Sequence, residues 1–297
     1  MATELHQITV GIKTFYRTDK LEDTLNALIG KSFSQVIIAD DGEIDEAKDL
    51  LYDKYAELLP LKVLRLPHDT GLPYGRNRMI EACNTPYFLM LDDDQVIPDN
   101  IKVLLDILHG DSELGGVSCF WNEYGHIVCR AHNLHMIHGH LIKDKGRDQI
   151  KRTIGQTAYF LMDFIPNSTL YRKECFDEIK WDEAIKIGSE HVDFYMAQKQ
   201  LGKWKFAVTP DVIIKHYPSI GTGTYEKKFR HQNERIKKYK QYVLKKWQFK
   251  DVLNGEGLLM INRGVKKSVI HKIVIGNRLT RIVLLGFFKI LESFKLI

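Results

Sequence analysis

Two short apolar runs in the first hundred residues each end in a cluster of aspartates. The run at 36–39 precedes Asp-Asp-Gly at 40–42, and the run at 87–91 precedes Asp-Asp-Asp at 92–94. Parallel strands of an open α/β sheet end at one edge, and ligands bind beyond that edge. Acidic clusters after two buried strands therefore constrain the chain to a fold that brings strand ends together at one site.

The first two hundred residues alternate apolar runs with helical patterns, which predicts an α/β fold with a largely parallel, nucleotide-binding sheet. Early strands are expected at 8–12, 36–39, 63–66 and 87–91, and helices at 21–29, 47–59 and 76–82. Later elements are expected as antiparallel strands within 117–164, helices at 171–179 and 192–200, and short strands at 206–208 and 212–214.

The charge of the chain is divided unevenly. The 297 residues carry a net charge of +5, yet residues 221–297 hold 18 basic and 5 acidic residues, a balance of +13 that leaves −8 for the rest. We expect a catalytic domain at 1–220 and a basic, amphipathic helical region at 221–297. With 44% hydrophobic residues the chain can bury a core, which excludes an intrinsically disordered protein.

The aspartate triplet at 92–94 points to a bound cation. Adjacent carboxylates repel one another, and Mg²⁺ or Mn²⁺ prefers carboxylate oxygens while keeping positions open for phosphate. The alternative is a solvated acidic turn that caps the next helix. The second acidic strand end, at 40–41, favours the cation, because an acidic residue in that position commonly contacts a nucleoside.

Six motif-like segments follow one another along the chain: ITVGIKTFYR, VIIADDG, GLPYGRN, FLMLDDD, WDEAIKIGSEHVDF and VIIKHYP. In order and spacing they resemble the motifs of family-2 inverting glycosyltransferases with the GT-A fold. The later block also resembles β-1,4-N-acetylgalactosaminyltransferases, whose motifs include a DDD triplet and an EH-x-D-F segment. The resemblance covers about residues 6–218. It implies a GT-A, Rossmann-like mixed sheet flanked by helices, here followed by the basic helical C-terminal extension.

The resemblance also implies a donor site for a UDP-sugar with Mn²⁺ or Mg²⁺. The nucleotide-binding residues implied are Thr14, Arg17, Asp41, Arg76, Asp92 and Asp93. The metal ligands implied are Asp92, Asp94 and His216. Asp41 would contact the nucleobase or ribose, Arg76 the base or the diphosphate, and Asp92 the ribose.

Attack by an acceptor hydroxyl needs a base on the opposite face of the sugar. The family places it in the segment of Glu190, His191 and Asp193, usually as the second residue of Glu-Asp, and His191 stands at that position here. Glu190 or His191 is therefore the expected base, since an imidazole with an unperturbed pKa near 6.5 suits proton abstraction at neutral pH. Asp193 is expected to assist at a helix N-terminus. The residues expected to flank the acceptor cleft are Trp121, Trp181 and Asp182, with a place in the core as the alternative for Trp121.

The resulting prediction is a metal-dependent inverting glycosyltransferase. It would move a sugar, with N-acetylhexosamine expected, from a UDP-sugar to a hydroxyl of a glycan or lipid-linked acceptor. A sugar-nucleotide nucleotidyltransferase is one alternative, but it needs a Gly-rich N-terminal loop that Gly11 alone does not supply. A non-catalytic glycan-binding protein is another, and the intact DDD and EHVD segments argue against it.

The basic region predicts where the protein works. A helix within 225–250 has one apolar face, and the segment 269–297 is apolar with nearby Lys and Arg, a pattern typical of binding to an anionic membrane surface. We expect a peripheral protein on the cytoplasmic face of the membrane, since neither a signal peptide nor a disulfide framework is evident. Packing on a sister subunit in a homo-oligomer is the alternative. Nucleic acid is not an expected partner, because no binding module is visible.

Overall fold

The computed structural model describes residues 4–43, 45–144, 150–218 and 233–254. The chain divides into two units, which are described separately. The first comprises Met1–His132 and Arg147–Val243, and the second Asn133–Gly146 and Leu244–Ile297. The apolar segment at 269–297 lies outside the described residues, and the predicted domain boundary near residue 220 stays a prediction.

The N-terminal part of the first unit is a parallel sheet covered by helices. Its elements are β1 (Ile8–Thr14), α1 (Thr18–Asn26), β2 (Gln35–Asp40), α2 (Glu46–Ala56), β3 (Leu61–Arg65), α3 (Leu72–Ala82) and β4 (Tyr87–Asp92). β1 lies between β2 and β4, and β3 pairs with β2, all in parallel. Apolar side chains of β1, β2 and β4 share one buried core with those of α1 and α2. These strands and helices confirm the predicted α/β alternation.

The remaining elements complete a mixed sheet and add a small one. In chain order they are β5 (Gln95–Val96), α4 (Lys102–Gly110), β6 (Leu114–Glu123), β7 (His126–Val128), β8 (Asn133–Ile137), β9 (His140–Asp144), β10 (Lys151–Ile154), β11 (Thr157–Met162), β12 (Thr169–Arg172), α5 (Glu190–Leu201), β13 (Lys205–His216), α6 (Asn233–Lys246) and β14 (Asp251–Asn254). The large sheet has the order β10-β11-β13-β6-β12-β4-β1-β2-β3, with β5 on β13 and β7 on β6.

The prediction of a helix at 171–179 is wrong. Residues of β12 form a strand that pairs antiparallel with β4 on one side and β6 on the other, and a short 3₁₀ turn, Lys173–Phe176, follows. This central place in the sheet buries Tyr171 completely. Thr169 and Tyr171 are residue types enriched in strands, and sheet pairing on both edges stabilises the strand further.

The two short strands expected at 206–208 and 212–214 are one long strand, β13. It runs parallel to β6, and the register shifts between Thr209 and Ile213. Pro210 lies in this interruption, where its missing N–H costs no ladder hydrogen bond. The strand continues to His216, and this continuation carries that residue to the edge of the sheet.

The second unit contains a three-stranded sheet in which β8 pairs antiparallel with β9, and β14 pairs parallel with β9. The hairpin of β8 and β9 lies within the range 117–164, where antiparallel strands are expected, whereas β14 was not expected.

Helix α6 confirms the amphipathic pattern within 225–250. Tyr239 and Val243 are buried, whereas Lys237 and Lys238 are exposed. In the described parts of the chain, no helix combines the length and the apolarity needed to cross a bilayer.

Candidate active site

The ends of β1 and β4 bring four of the predicted site residues into contact. Thr14 donates a hydrogen bond from its hydroxyl to Asp93 Oδ2 at 2.8 Å. The Arg17 guanidinium forms ion pairs with Asp93 and with Asp94. Both aspartates are only 2% exposed, while Arg17 keeps 15% of its side chain accessible. Arg17 is therefore the counter-ion of two buried carboxylates at the strand end.

Asp93 is the titrating group of this cluster. Burial raises its pKa to about 6; the charge of Arg17 opposes this rise, and the negative charge of Asp94 adds to it. The hydrogen bond from Thr14 favours the ionised form but is outweighed. The cluster therefore takes up a proton at mildly acidic pH.

We expect Asp93 to make the metal-free chain less stable as the pH rises from about 4 to about 6. An unfolded Asp ionises near pH 3.9, whereas the folded carboxyl holds its proton to about pH 6. The folded state then binds more protons in this window, so the free energy of unfolding falls with pH, by at most about 1.4 kcal/mol per pH unit. Urea unfolding between these pH values should show this contribution in the wild type and not in Asp93→Asn. Parallel pH curves for the two proteins would contradict the assignment.

Asp94 and His216 meet where β5 pairs with β13. The backbone N–H of Tyr217 donates to the carbonyl of Asp94 at 3.0 Å, which fixes the two segments side by side. His216 Nε2 lies 3.6 Å from Asp94 Oδ1, too far for a hydrogen bond. Within the described residues this buried oxygen has no hydrogen-bond partner. An unbonded carboxylate oxygen facing an imidazole nitrogen is a donor set that fits Mn²⁺.

The third residue expected to bind the metal has other partners. Asp92 Oδ1 accepts a hydrogen bond from Asn167 Nδ2 at 2.7 Å and lies 3.7 Å from Arg76 Nη2. Burial raises the pKa of Asp92, but the charge of Arg76 and the hydrogen bond from Asn167 outweigh it and lower the pKa overall. Nowhere in the ranges that the structure covers do three His, Cys, Asp or Glu side chains form a metal cluster. Of the three expected ligands, the structure thus brings two together.

Arg76 is a buried cation beside two carboxylates of the site. It is 1% exposed, and its guanidinium stacks on the ring of Trp181 at 4.6 Å from the centroid. It lies 3.7 Å from Asp92 Oδ1 and 3.7 Å from Glu190 Oε1. One buried cation thus balances the carboxylate at the end of β4 and the carboxylate at the start of α5.

Trp181 does not offer a face to a sugar. It is 2% exposed and stacks on Phe194, with the ring centroids 4.2 Å apart. The expectation that it flanks an open acceptor cleft is wrong, because its two neighbours Arg76 and Phe194 already pack against the ring.

The first turn of α5 carries both candidates for the base, Glu190 and His191, and the expected helper Asp193. Glu190 and Asp193 are buried, at 5% and 2% exposed. The imidazole of His191 lies near the rings of Trp181 and Phe164, and its Nε2 is 3.8 Å from Glu190 Oε1. The side chain of His191 is 21% exposed, against 6% for that of Glu190. Of the three side chains, His191 is the one that a substrate can reach.

A cleft opens beside Asp41, at the end of β2. The Asp41 carboxylate accepts hydrogen bonds from Lys13 Nζ, from Thr70 Oγ1 at 3.2 Å and from Gly71 N at 2.7 Å. The stem of Lys13 fills the space left by the missing side chain of Gly75, where a Cβ would lie 2.4 Å from Lys13 Cδ. Asp41 is therefore held rigidly at the cleft wall.

Two cations that sequence reasoning missed line the same cleft. Arg235 Nη2 donates to Asp69 Oδ1 at 2.7 Å, and Lys186 Nζ lies 3.5 Å from Asp69 Oδ2. Arg235 belongs to α6, in the basic region to which the sequence assigns no catalytic motif. The only hint in the sequence is the excess of positive charge in that region.

Residues 9–180 match the sequence model of the family described as "Glycosyl transferase family 2". No curated protein matches the chain significantly by sequence.

Solved structures share the fold at low sequence identity. S. aureus TarS 1–349 in complex with UDP-GlcNAc is 16% identical, with a TM-score of 0.58 over 80% of this chain and 65% of its own. GalNAc-T7 with UDP, GalNAc and Mn²⁺ is 16% identical, with a TM-score of 0.55 over 73% and 45%. The mannosyltransferase PcManGT from Pyrobaculum calidifontis, with GDP-Man and Mn²⁺, is 13% identical, with a TM-score of 0.52 over 78% and 64%. The chain spans less than two thirds of the length of each of these three proteins.

Proposed function

The chain belongs to glycosyl transferase family 2 and has a GT-A-like fold, and from this premise we propose that it is a metal-dependent inverting enzyme. It transfers an N-acetylhexosamine from a UDP-sugar to a hydroxyl of a glycan or lipid-linked acceptor. TarS with UDP-GlcNAc and GalNAc-T7 with UDP support this donor by their similarity in fold. The cleft beside Asp41 receives the nucleoside.

The charged residues at the ends of β1 and β4, Arg17, Asp93 and Asp94, support the departure of the nucleoside diphosphate. Negative charge develops on the leaving diphosphate, and Asp94 and His216 would hold a divalent cation that would supply positive charge there. Arg17, which contacts Asp93 and Asp94, adds a permanent positive charge at the same place. The observation that carries this proposal is the buried, unbonded Asp94 Oδ1 facing His216 Nε2 at 3.6 Å.

We assign the base to His191. It takes the proton of the acceptor hydroxyl at Nε2 as the oxygen attacks the sugar. Glu190 Oε1, 3.8 Å from that nitrogen, stabilises the imidazolium that forms. Glu190 is itself held beside Arg76, so it acts through His191 as a positioning group. Asp193 lies in the first turn of the same helix, where its negative charge favours the helix N-terminus.

The proposal is tested by nucleotide binding. Calorimetry with UDP-GlcNAc, UDP-GalNAc, UDP-Glc and GDP-Man, each with and without Mn²⁺, should show Mn²⁺-dependent binding of a UDP-sugar. Asp94→Asn should weaken that binding at least about tenfold, because a metal ligand is lost. Asp106→Asn is the matched control, since Asp106 forms an exposed ion pair with Lys102 on α4. If no nucleotide binds in a metal-dependent manner, the proposed function is wrong.

We also propose association with an anionic membrane surface through the basic region. The apolar residues Tyr239 and Val243 of α6 are buried, so α6 would contribute mainly its exposed lysines and the exposed Tyr242. Positive side chains near an anionic surface attract it within a Debye length. The apolar segment at 269–297, on which insertion would depend, lies outside the described residues. A homo-oligomer through the same region stays the alternative prediction.

A further inference from the structure

We propose that Glu123 is a positioning residue that fixes the ring of His216 for a divalent cation. This inference rests on the proposed function, and it adds a residue that lies outside every motif discussed above. Glu123 is the last residue of β6, and the parallel pairing of β6 with β13 sets it directly beside His216.

The contact between these side chains selects one tautomer of the imidazole. Glu123 Oε1 lies 3.0 Å from His216 Nδ1, and the two side chains are 13% and 11% exposed. A carboxylate only accepts hydrogen bonds, so Nδ1 carries the proton and donates it. In the neutral ring the free lone pair is then on Nε2. That nitrogen is the one facing Asp94 Oδ1.

Other contacts hold the Glu123 carboxylate and the imidazole in place. Arg130 donates a hydrogen bond to the second carboxylate oxygen, Glu123 Oε2, at 2.5 Å. The ring of Trp121 packs against that of His216, with centroids 4.3 Å apart. The backbone pairing of Gln95 with His216 fixes the chain on the other side. The imidazole therefore presents Nε2 toward Asp94 before any ligand binds.

A carboxylate behind a ligating histidine has a measurable effect. It orients the ring and raises the basicity of the ligating nitrogen, and its loss commonly weakens metal binding about 10- to 100-fold. An exposed ion pair that positions no metal ligand should leave the metal affinity nearly unchanged. The Glu123–Arg130 pair is half-exposed on the Arg130 side, at 52%, and a surface pair of this kind contributes little.

The test is direct titration of Mn²⁺ into the full chain without donor, followed by electron paramagnetic resonance. Glu123→Ala should weaken Mn²⁺ binding about 10- to 100-fold, and Glu123→Gln less, because its amide oxygen still accepts from Nδ1. Arg130→Ala should change the affinity less than about threefold. Glu113→Ala is the matched control, because Glu113 is a half-exposed glutamate that also pairs with an arginine, Arg152.

A second measurement separates positioning from general loosening of the structure. Nitrogen-15 NMR of the metal-free chain should report the Nδ1–H tautomer for His216, with its signals assigned by their absence in His216→Gln. Glu123→Ala should lose this tautomer, and Glu123→Gln should keep it. If Glu123→Ala does not fold, a weaker Mn²⁺ affinity of Glu123→Gln supports the proposal.

Two results would overturn the inference, and they are distinguishable. If the wild type binds Mn²⁺ and the Glu123 variants bind it equally well, Glu123 has no positioning role while the proposed function stands. If the wild type binds no Mn²⁺ with or without a UDP-sugar, both the inference and the metal-dependent function fail.

Discussion

Replacing His191 with asparagine is expected to lower kcat by about 10²- to 10⁴-fold, the usual contribution of a positioned general base. Asparagine keeps a polar side chain of similar shape but cannot take a proton from the acceptor hydroxyl. Donor binding should be unchanged, because the cleft that we propose to bind the nucleoside is lined by other residues. The measurement is the rate of nucleoside diphosphate release from the UDP-sugar chosen by calorimetry, together with its pH profile. The acidic limb of that profile should vanish in His191→Asn.

The control for this experiment is another histidine. His109→Asn, at the exposed end of α4, should leave kcat as in the wild type. Glu190→Gln should reduce kcat less than His191→Asn, because Glu190 acts through His191. If His191→Asn retains kcat while Glu190→Gln abolishes it, the base is Glu190 and our assignment is wrong.

Replacing Arg76 with leucine is expected to destabilise the fold by about 3 to 5 kcal/mol at neutral pH, the cost of breaking a buried charge pair by removing one partner. Arg76 is buried and lies 3.7 Å from carboxylate oxygens of both Asp92 and Glu190. Without its charge, burial should raise the pKa of Asp92, since burial already acts in that direction. The penalty should therefore shrink as the pH falls and Asp92 is protonated. Urea unfolding of wild type and Arg76→Leu at pH 7 and pH 4.5 measures both effects.

The same helix offers a matched control. Arg78, two residues further along α3, forms ion pairs with Glu81 and Glu183 but keeps 34% of its side chain exposed. Arg78→Leu should therefore cost less than about 1 kcal/mol. Equal losses from the two substitutions would show that burial of Arg76 between carboxylates has no special energetic effect.

The sequence predicts those parts of the fold in which local pattern and tertiary context agree. The elements β1, β2, β4, α1 and α2 each bury one apolar face or run, so the spacing of their apolar residues is visible in the chain. β12 differs, because Thr169–Arg172 is short and becomes a strand only between β4 and β6. Thr169 and Tyr171 are residue types enriched in strands, but a run of four residues is too short to distinguish a central strand from the start of a helix.

Some residues of the candidate site can be predicted from local sequence, and others cannot. Asp41, Asp93 and Asp94 follow buried strands, so their place at the sheet edge can be predicted from the order of residues alone. Glu123 and its partner His216 are 93 residues apart, and they meet only because β6 and β13 pair in parallel. Arg235 and Asp69 are 166 residues apart. Partnerships of this kind depend on sheet order and helix docking, which no local pattern encodes.

Positions 13 and 75 constrain each other, because the side chain of Lys13 occupies the space where a side chain at 75 would lie. The missing side chain of Gly75 accommodates the stem of Lys13, whose ammonium group is fixed between Asp41 and the carbonyl of Thr14. Alanine at 75 would be favoured by helix propensity by about 1 kcal/mol, yet it would push Lys13 away from the nucleoside cleft. A lineage that gains a side chain at 75 must therefore shorten residue 13 first.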